Sequence, residues 1–244
     1  MTAIALLLLL STSCAPLTLP PAPLYGPDAV TEQTLTRLQH DQARRRQQLS
    51  FWRISGILDL ETSQMERRNR VVLTGEGDQR ARFVLYGPFR QVARDLLLTP
   101  DYLRMIQPER REWVEVPATA EGLAAITGIL LAPQQLLRIM LALVELPVQI
   151  DGNYRVIGAG GEQLQFQPET GRLLQRRGGT GDGRYQVDYH WHAERDHPER
   201  IELTWGERQR LVWIVEEWQL LPVSAFVPGA IPAGFQRSAP LTSP

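Results

Sequence analysis

The chain has 244 residues, with 26 basic and 27 acidic side chains and a net charge of -1, a balance that argues against a general nucleic-acid binder. Hydrophobic residues make up 43% and charged residues 22%, the composition of a folded chain able to bury a sizeable core. Every basic residue is arginine, which excludes Schiff-base and P-loop lysine chemistry, and the lone cysteine, Cys14, excludes an internal disulfide or a multi-cysteine metal site.

Ile4 to Leu10 is an apolar run, too short to span a bilayer, which takes about 20 residues. It matches the core of a secretory signal and is followed by Ser11-Thr12-Ser13 directly before Cys14. This arrangement resembles the lipobox of bacterial lipoproteins, with Ser11 where that motif usually has Leu. The resemblance implies a signal peptide over residues 1–13 and an acylated Cys14 that begins the mature chain. Ala15, rather than Asp, then points to the outer membrane, with the protein facing the periplasm. A plain secretory signal, or an incidental apolar start with a structural cysteine, is the alternative. Residues 14–27 hold Pro16, Pro20, Pro21, Pro23 and Pro27 and read as an extended tether.

Residues 28–220 read as one domain. Asp28 can cap a helix carrying Val30, Leu35 and Leu38, with Arg44-Arg45-Arg46 late in it as a solvated helix end or a contact for phosphate head groups. From Phe51 the hydrophobic period becomes two. Strands are expected at Phe51 to Leu60, with a bend at Gly56, then at Val71 to Leu73, Ala81 to Tyr86, Val92 to Leu98, Tyr102 to Ile106 and Glu112 to Val116. The turns between them are too short for crossovers, so the neighbours are antiparallel. Thr119 and Ala132-Pro133 each start a helix, the second running about 13 residues to Pro147 and apolar almost all round. Strands resume from Tyr154 to Glu217, and residues 221–244 form a Pro/Gly-rich irregular tail that can strap onto the sheet. The whole is mainly β, an antiparallel sheet of about 11 strands that should curl.

Three segments resemble the LolA/LolB superfamily of bacterial lipoprotein carriers and receptors. Ala81 to Phe89 is similar to the receptor strand that ends in Gly-Pro-Leu-Gly, with Phe89-Arg90 here in place of Leu-Gly. Trp52 to Gly56 is similar to its opening strand. Leu146-Pro147 is similar to the end of its lid, with Glu145 in place of Gly. The resemblance implies an open half-barrel with a helical lid over an apolar cavity. It also implies acyl chains of lipoproteins or lipids as ligands, the inner leaflet of the outer membrane as a surface and a periplasmic carrier protein as a partner.

On that reading Phe83, Leu85, Leu96, Leu98, Leu103, Trp113, Leu137, Met140 and Val144 line the cavity, and simple core packing is the other reading for each. Phe89 and Arg90 would touch the membrane at the tip of a turn, or Phe89 would fold back on the barrel rim. No catalytic group and no cofactor are expected. A filled barrel that scaffolds a protein partner is the alternative function. A metal enzyme comes third, on Asp188, His190 and His192 along one strand with Asp196 and His197 after it.

Overall fold

A computed structural model describes residues 32–62, 65–145, 149–150, 156–158, 161–167, 170–179, 183–206, 209–222 and 229–239. Cys14, the signal-like run, the tether, Asp28, Val30 and Leu146-Pro147 lie outside these residues. Helix α1 (Glu32–Gln48) leads into strands β1 (Phe51–Thr62), β2 (Met65–Glu76), β3 (Arg80–Tyr86), β4 (Val92–Leu98), β5 (Tyr102–Gln107) and β6 (Glu112–Pro117). Two helices follow, α2 (Ala120–Thr127) and α3 (Pro133–Met140). The second run of strands is β7 (Gln149–Ile150), β8 (Val156–Ile157), β9 (Gln163–Phe166), β10 (Leu173–Gly178), β11 (Tyr185–Trp191), β12 (Pro198–Trp205) and β13 (Gln209–Leu220), and β14 (Gln236–Arg237) ends the series.

These strands form one 14-stranded sheet in the order β14-β6-β5-β4-β3-β2-β1-β13-β12-β11-β10-β9-β8-β7. Two antiparallel meanders thus join where β1 pairs β13, with a register shift at Ser55/Gly56 where the bend was expected. The expected count of about 11 falls short of 14 chiefly because β7 and β14 are two-residue strands, too short to show alternation. The β2 strand also begins at Met65, not Val71, because its first turn of hairpin pairing is made by charged residues. The tail does strap onto the sheet: Gln236 and Arg237 pair parallel with Glu112 and Trp113, and Gly229 lies over the Arg82–Asp95 pair.

The inner face is built by alternation. Trp52 and Ile54, Val71 and Leu73, Ala81 and Phe83, Leu96 and Leu98, and Leu211 and Trp213 all enter one buried cluster with α2 and α3. Gly75 has its place because a Cβ there would stand 2.2 Å from the Trp52 indole. Thr119 caps α2 by accepting from the Gly122 N–H at 3.1 Å, and Gly128, at φ 80°, ends it. Gly122 lies so close to β6 that a Cβ would meet the Pro117 carbonyl at 2.1 Å. The α3 helix starts at Pro133 as expected but stops at Met140, well short of Pro147. The residues after it, Leu141 to Val144, remain fully buried in non-helical backbone.

Candidate functional site

The non-helical stretch after α3 is held by three arginines from two places, α1 and β10. Arg45 Nε donates to the Leu141 carbonyl at 3.2 Å, Arg176 Nη1 to Leu143 at 3.0 Å and Arg46 Nη2 to Val144 at 2.6 Å. The Val144 N–H donates to buried Gln42 at 3.1 Å. These bonds satisfy carbonyls that a longer helix would have used internally, which is why the helix can end early. The lid is α2, α3 and this clamped segment together.

Two polar clusters fasten the lid to the sheet. On the second meander, Arg176 and Glu162 pair at 2.6 Å inside the barrel. The Tyr185 hydroxyl donates to Glu162, and Gln135 of α3 donates to Glu162 at 3.0 Å and to Tyr185 at 2.8 Å. Burial works against the Glu162 charge, but Arg176 and the donors from Tyr185 and Gln135 outweigh it and hold the carboxyl below its ordinary value. Burial also works against the Arg176 charge, and the Glu162 carboxylate outweighs it, so the guanidinium stays protonated. On the first meander, Asp78 in the β2–β3 turn accepts from Arg138 of α3 at 3.1 Å and from Arg46 of α1 at 3.4 Å, and Arg138 reaches Glu145 at 3.0 Å. Arg45 completes the lid's surroundings. It lies over the Trp191 and Trp218 rings at 5.4 and 5.5 Å, and burial lowers its pKa to about 10.

A second feature lies at the β3–β4 turn. The Gly87 N–H donates to Gln91 at 2.9 Å, Arg90 N–H to Gly87 at 3.0 Å and Phe89 N–H to the Gln91 side chain at 3.0 Å. This bonding fixes the turn and leaves Phe89 90% exposed. The neighbouring Arg90 has a left-handed backbone, φ 61°.

No family model matches the chain, and no curated protein matches its sequence. Solved structures do. A domain named for outer membrane lipoprotein sorting, from Vibrio parahaemolyticus, is similar at 9% identity over 78% of this chain and 93% of that one, with a TM-score of 0.51. A DUF1329 family protein from Desulfovibrio piger is similar at 8% identity over 78% and 95%, with a TM-score of 0.53. A LolA superfamily protein from Nitrosomonas europaea gives 10% identity over 75% and 94%, with a TM-score of 0.47. The fold is LolA/LolB-like. At such identities the likeness speaks for the architecture and carries no residue's role across.

Within this LolA/LolB-like frame, Phe83, Leu96, Leu98, Leu103, Leu137, Met140 and Val144 do converge on one cluster beneath the lid, each no more than 7% exposed. Leu85 packs at its edge. Trp113 is a correction. It faces away from the interior, between Arg237 at 5.2 Å and Arg104 at 5.8 Å, because Val114 and Val116 take the inward positions of β6. Each of these side chains is nearly inaccessible to water, so they pack against one another under the lid. Phe89 does not fold back on the rim.

The arginine trio of α1 is a second correction to the solvated-end reading. Arg44 stays outside with Asp41, whereas Arg45 and Arg46 turn inward onto the lid carbonyls. The polar strand has other partners: Asp188 accepts from Gln175 and Gln186, His190 lies 3.4 Å from Glu202, and His197 stacks on Trp218. Among the described residues no group of three or more His, Cys, Asp or Glu is arranged to hold a metal ion. Of the clamp residues, Arg46 was read only as part of the α1 arginine run, and Asp78, Arg138, Glu162 and Arg176 were not singled out from sequence. A charged residue such as Arg176 at an inward strand position was the one available signal. No described helix is long and apolar enough to cross a membrane.

Proposed function

We propose that this chain is a bacterial outer-membrane lipoprotein, anchored through Cys14 and facing the periplasm, that takes acyl chains of lipoproteins or lipids beneath its lid. The observation that carries this reading is Phe89, a large apolar side chain held almost wholly in water by a hydrogen-bonded turn. Burying it in a membrane interface would contribute about 1.5 to 3 kcal/mol, enough to orient a tethered domain. Support for the cargo comes from the fold shared with a domain named for lipoprotein sorting. In the closed form Leu137, Met140 and Val144 occupy the space an acyl chain would take. Cargo therefore enters by displacing the lid, whose side chains cover the same apolar wall. The reading assigns the protein no bond-making step, and a periplasmic carrier would deliver the cargo.

Two measurements test it. Cys14→Ser should leave the protein unprocessed or released into the periplasm, and outer-membrane fractionation like wild type would overturn the anchor. Met140→Glu should weaken binding of a fluorescent fatty acid while the β-sheet circular-dichroism signal persists. The second reading is a filled barrel that scaffolds a protein partner, favoured by the packed interior. Failure of the unmodified chain to bind any acyl probe would decide for it.

A further inference from the structure

Beside Phe89 the outer face of the β2–β3 hairpin carries a groove of about 640 Å3. It is lined by Arg68, Arg70 and Val72 of β2, Tyr86 of β3, and Gly87, Pro88 and Arg90 of the turn. The three β2 residues share a face because they are two apart in a strand, and Tyr86 stands opposite Arg70 in the register. Arg70 pairs with Glu216, and both are well exposed, at 55% and 37%. Asp59 lies across from Arg68 in the β1–β2 register. Among the described residues, Arg68 and Arg90 make no ion pair. Three guanidiniums thus line the groove beside two carboxylates, Glu216 and Asp59, which leaves it net positive.

We propose that this groove binds the phosphate of an anionic phospholipid head group. Guanidinium is suited to that ligand, because its planar fork meets phosphate oxygens two at a time. The exposed Arg70–Glu216 pair is worth little in water, so Arg70 can exchange Glu216 for a phosphate oxygen at small cost. The Arg90 backbone is held at φ 61°, a left-handed conformation that residues other than glycine seldom adopt. Such strain is found where a turn must aim a side chain. Geometry supplies the orientation: the same turn that lines the groove carries Phe89, so a buried Phe89 sets the groove at head-group depth. The proposal rests on the membrane-touching reading of Phe89 and gives that site its ligand.

The test uses the full chain carrying Cys14→Ser and co-sedimentation with vesicles. One set is phosphatidylcholine, and the other is equal parts phosphatidylglycerol and phosphatidylcholine. The unmodified groove should favour the anionic set. Arg68→Gln with Arg90→Gln should lower affinity for the anionic vesicles about 25-fold, taking about 1 kcal/mol for each of two basic side chains and 1.4 kcal/mol per tenfold, and leave phosphatidylcholine binding unchanged. Arg68→Gln alone, which cannot disturb the turn, should give about half that loss on a logarithmic scale. Equal binding of both vesicle sets by the double variant and the parent overturns the proposal, as does an equal loss on both. Competition by free glycerol phosphate would mark a soluble phosphoester site and overturn the lipid source. Phe89→Ser reports on the tip by itself: if phosphatidylcholine binding survives it, the tip reading fails, whatever the arginine variants do.

Discussion

The lid is fastened to the two meanders by clamps of similar composition and different depth. Against β10 and β11, Arg176 and Glu162 have side chains 2% and 7% exposed. Against the β2–β3 turn, Asp78, Arg138 and Glu145 are 14%, 21% and 48% exposed. Each clamp joins arginine to carboxylate across the same lid, but solvent weakens the second and not the first. The buried clamp is therefore one that must be whole or absent. The outer clamp can open without leaving a stranded charge, so under the proposed function the first-meander side of the lid is where displacement should begin.

The largest effect should come from halving the buried clamp. Glu162→Leu alone leaves Arg176 charged and unpaired in the interior and should cost about 3 to 5 kcal/mol by denaturant unfolding. Glu162→Leu with Arg176→Met should recover most of that loss; a double variant as unstable as the single would break the contrast. The same pair gives stability a pH dependence. The Glu162 carboxyl titrates lower in the folded chain than its ordinary 4.5. Its contribution is therefore present above about 4.5 and is lost as pH falls through the lower folded value. Glu162→Gln should flatten the acid limb of the unfolding profile.

A smaller effect is expected at the outer clamp. Asp78→Ala should cost no more than about 1 kcal/mol, since both of its arginine partners reach solvent. It should at the same time speed uptake of the fluorescent fatty acid in stopped flow. Slower uptake would mean that the lid parts elsewhere. The smallest effect on stability belongs to a region that touches neither clamp. Phe89→Glu should leave the thermal midpoint within the range of an ordinary surface change, about 0.5 kcal/mol, while liposome binding is lost. A clear drop in the midpoint would show that Phe89 has packing partners after all.

The amino-acid sequence by itself determined the strand alternation from Phe51 to Glu217, the Thr119 and Pro133 helix starts, the bend at Gly56, the apolar character of Leu136 to Val144 and the aromatic in the β3–β4 turn. These are local properties, set by side-chain period and by the backbone preferences of a few residues. The tertiary structure alone decided that β1 pairs β13, that α3 stops at Met140 and that Arg45, Arg46 and Arg176 end on lid carbonyls. Each of these joins residues far apart in the chain, and no local pattern records which distant carbonyl a guanidinium will meet. Nor does a run of Leu, Met and Val record whether its far side faces a void or other side chains. Both are equally apolar, and only the packing of the lid against the sheet, which closes that space, separates them.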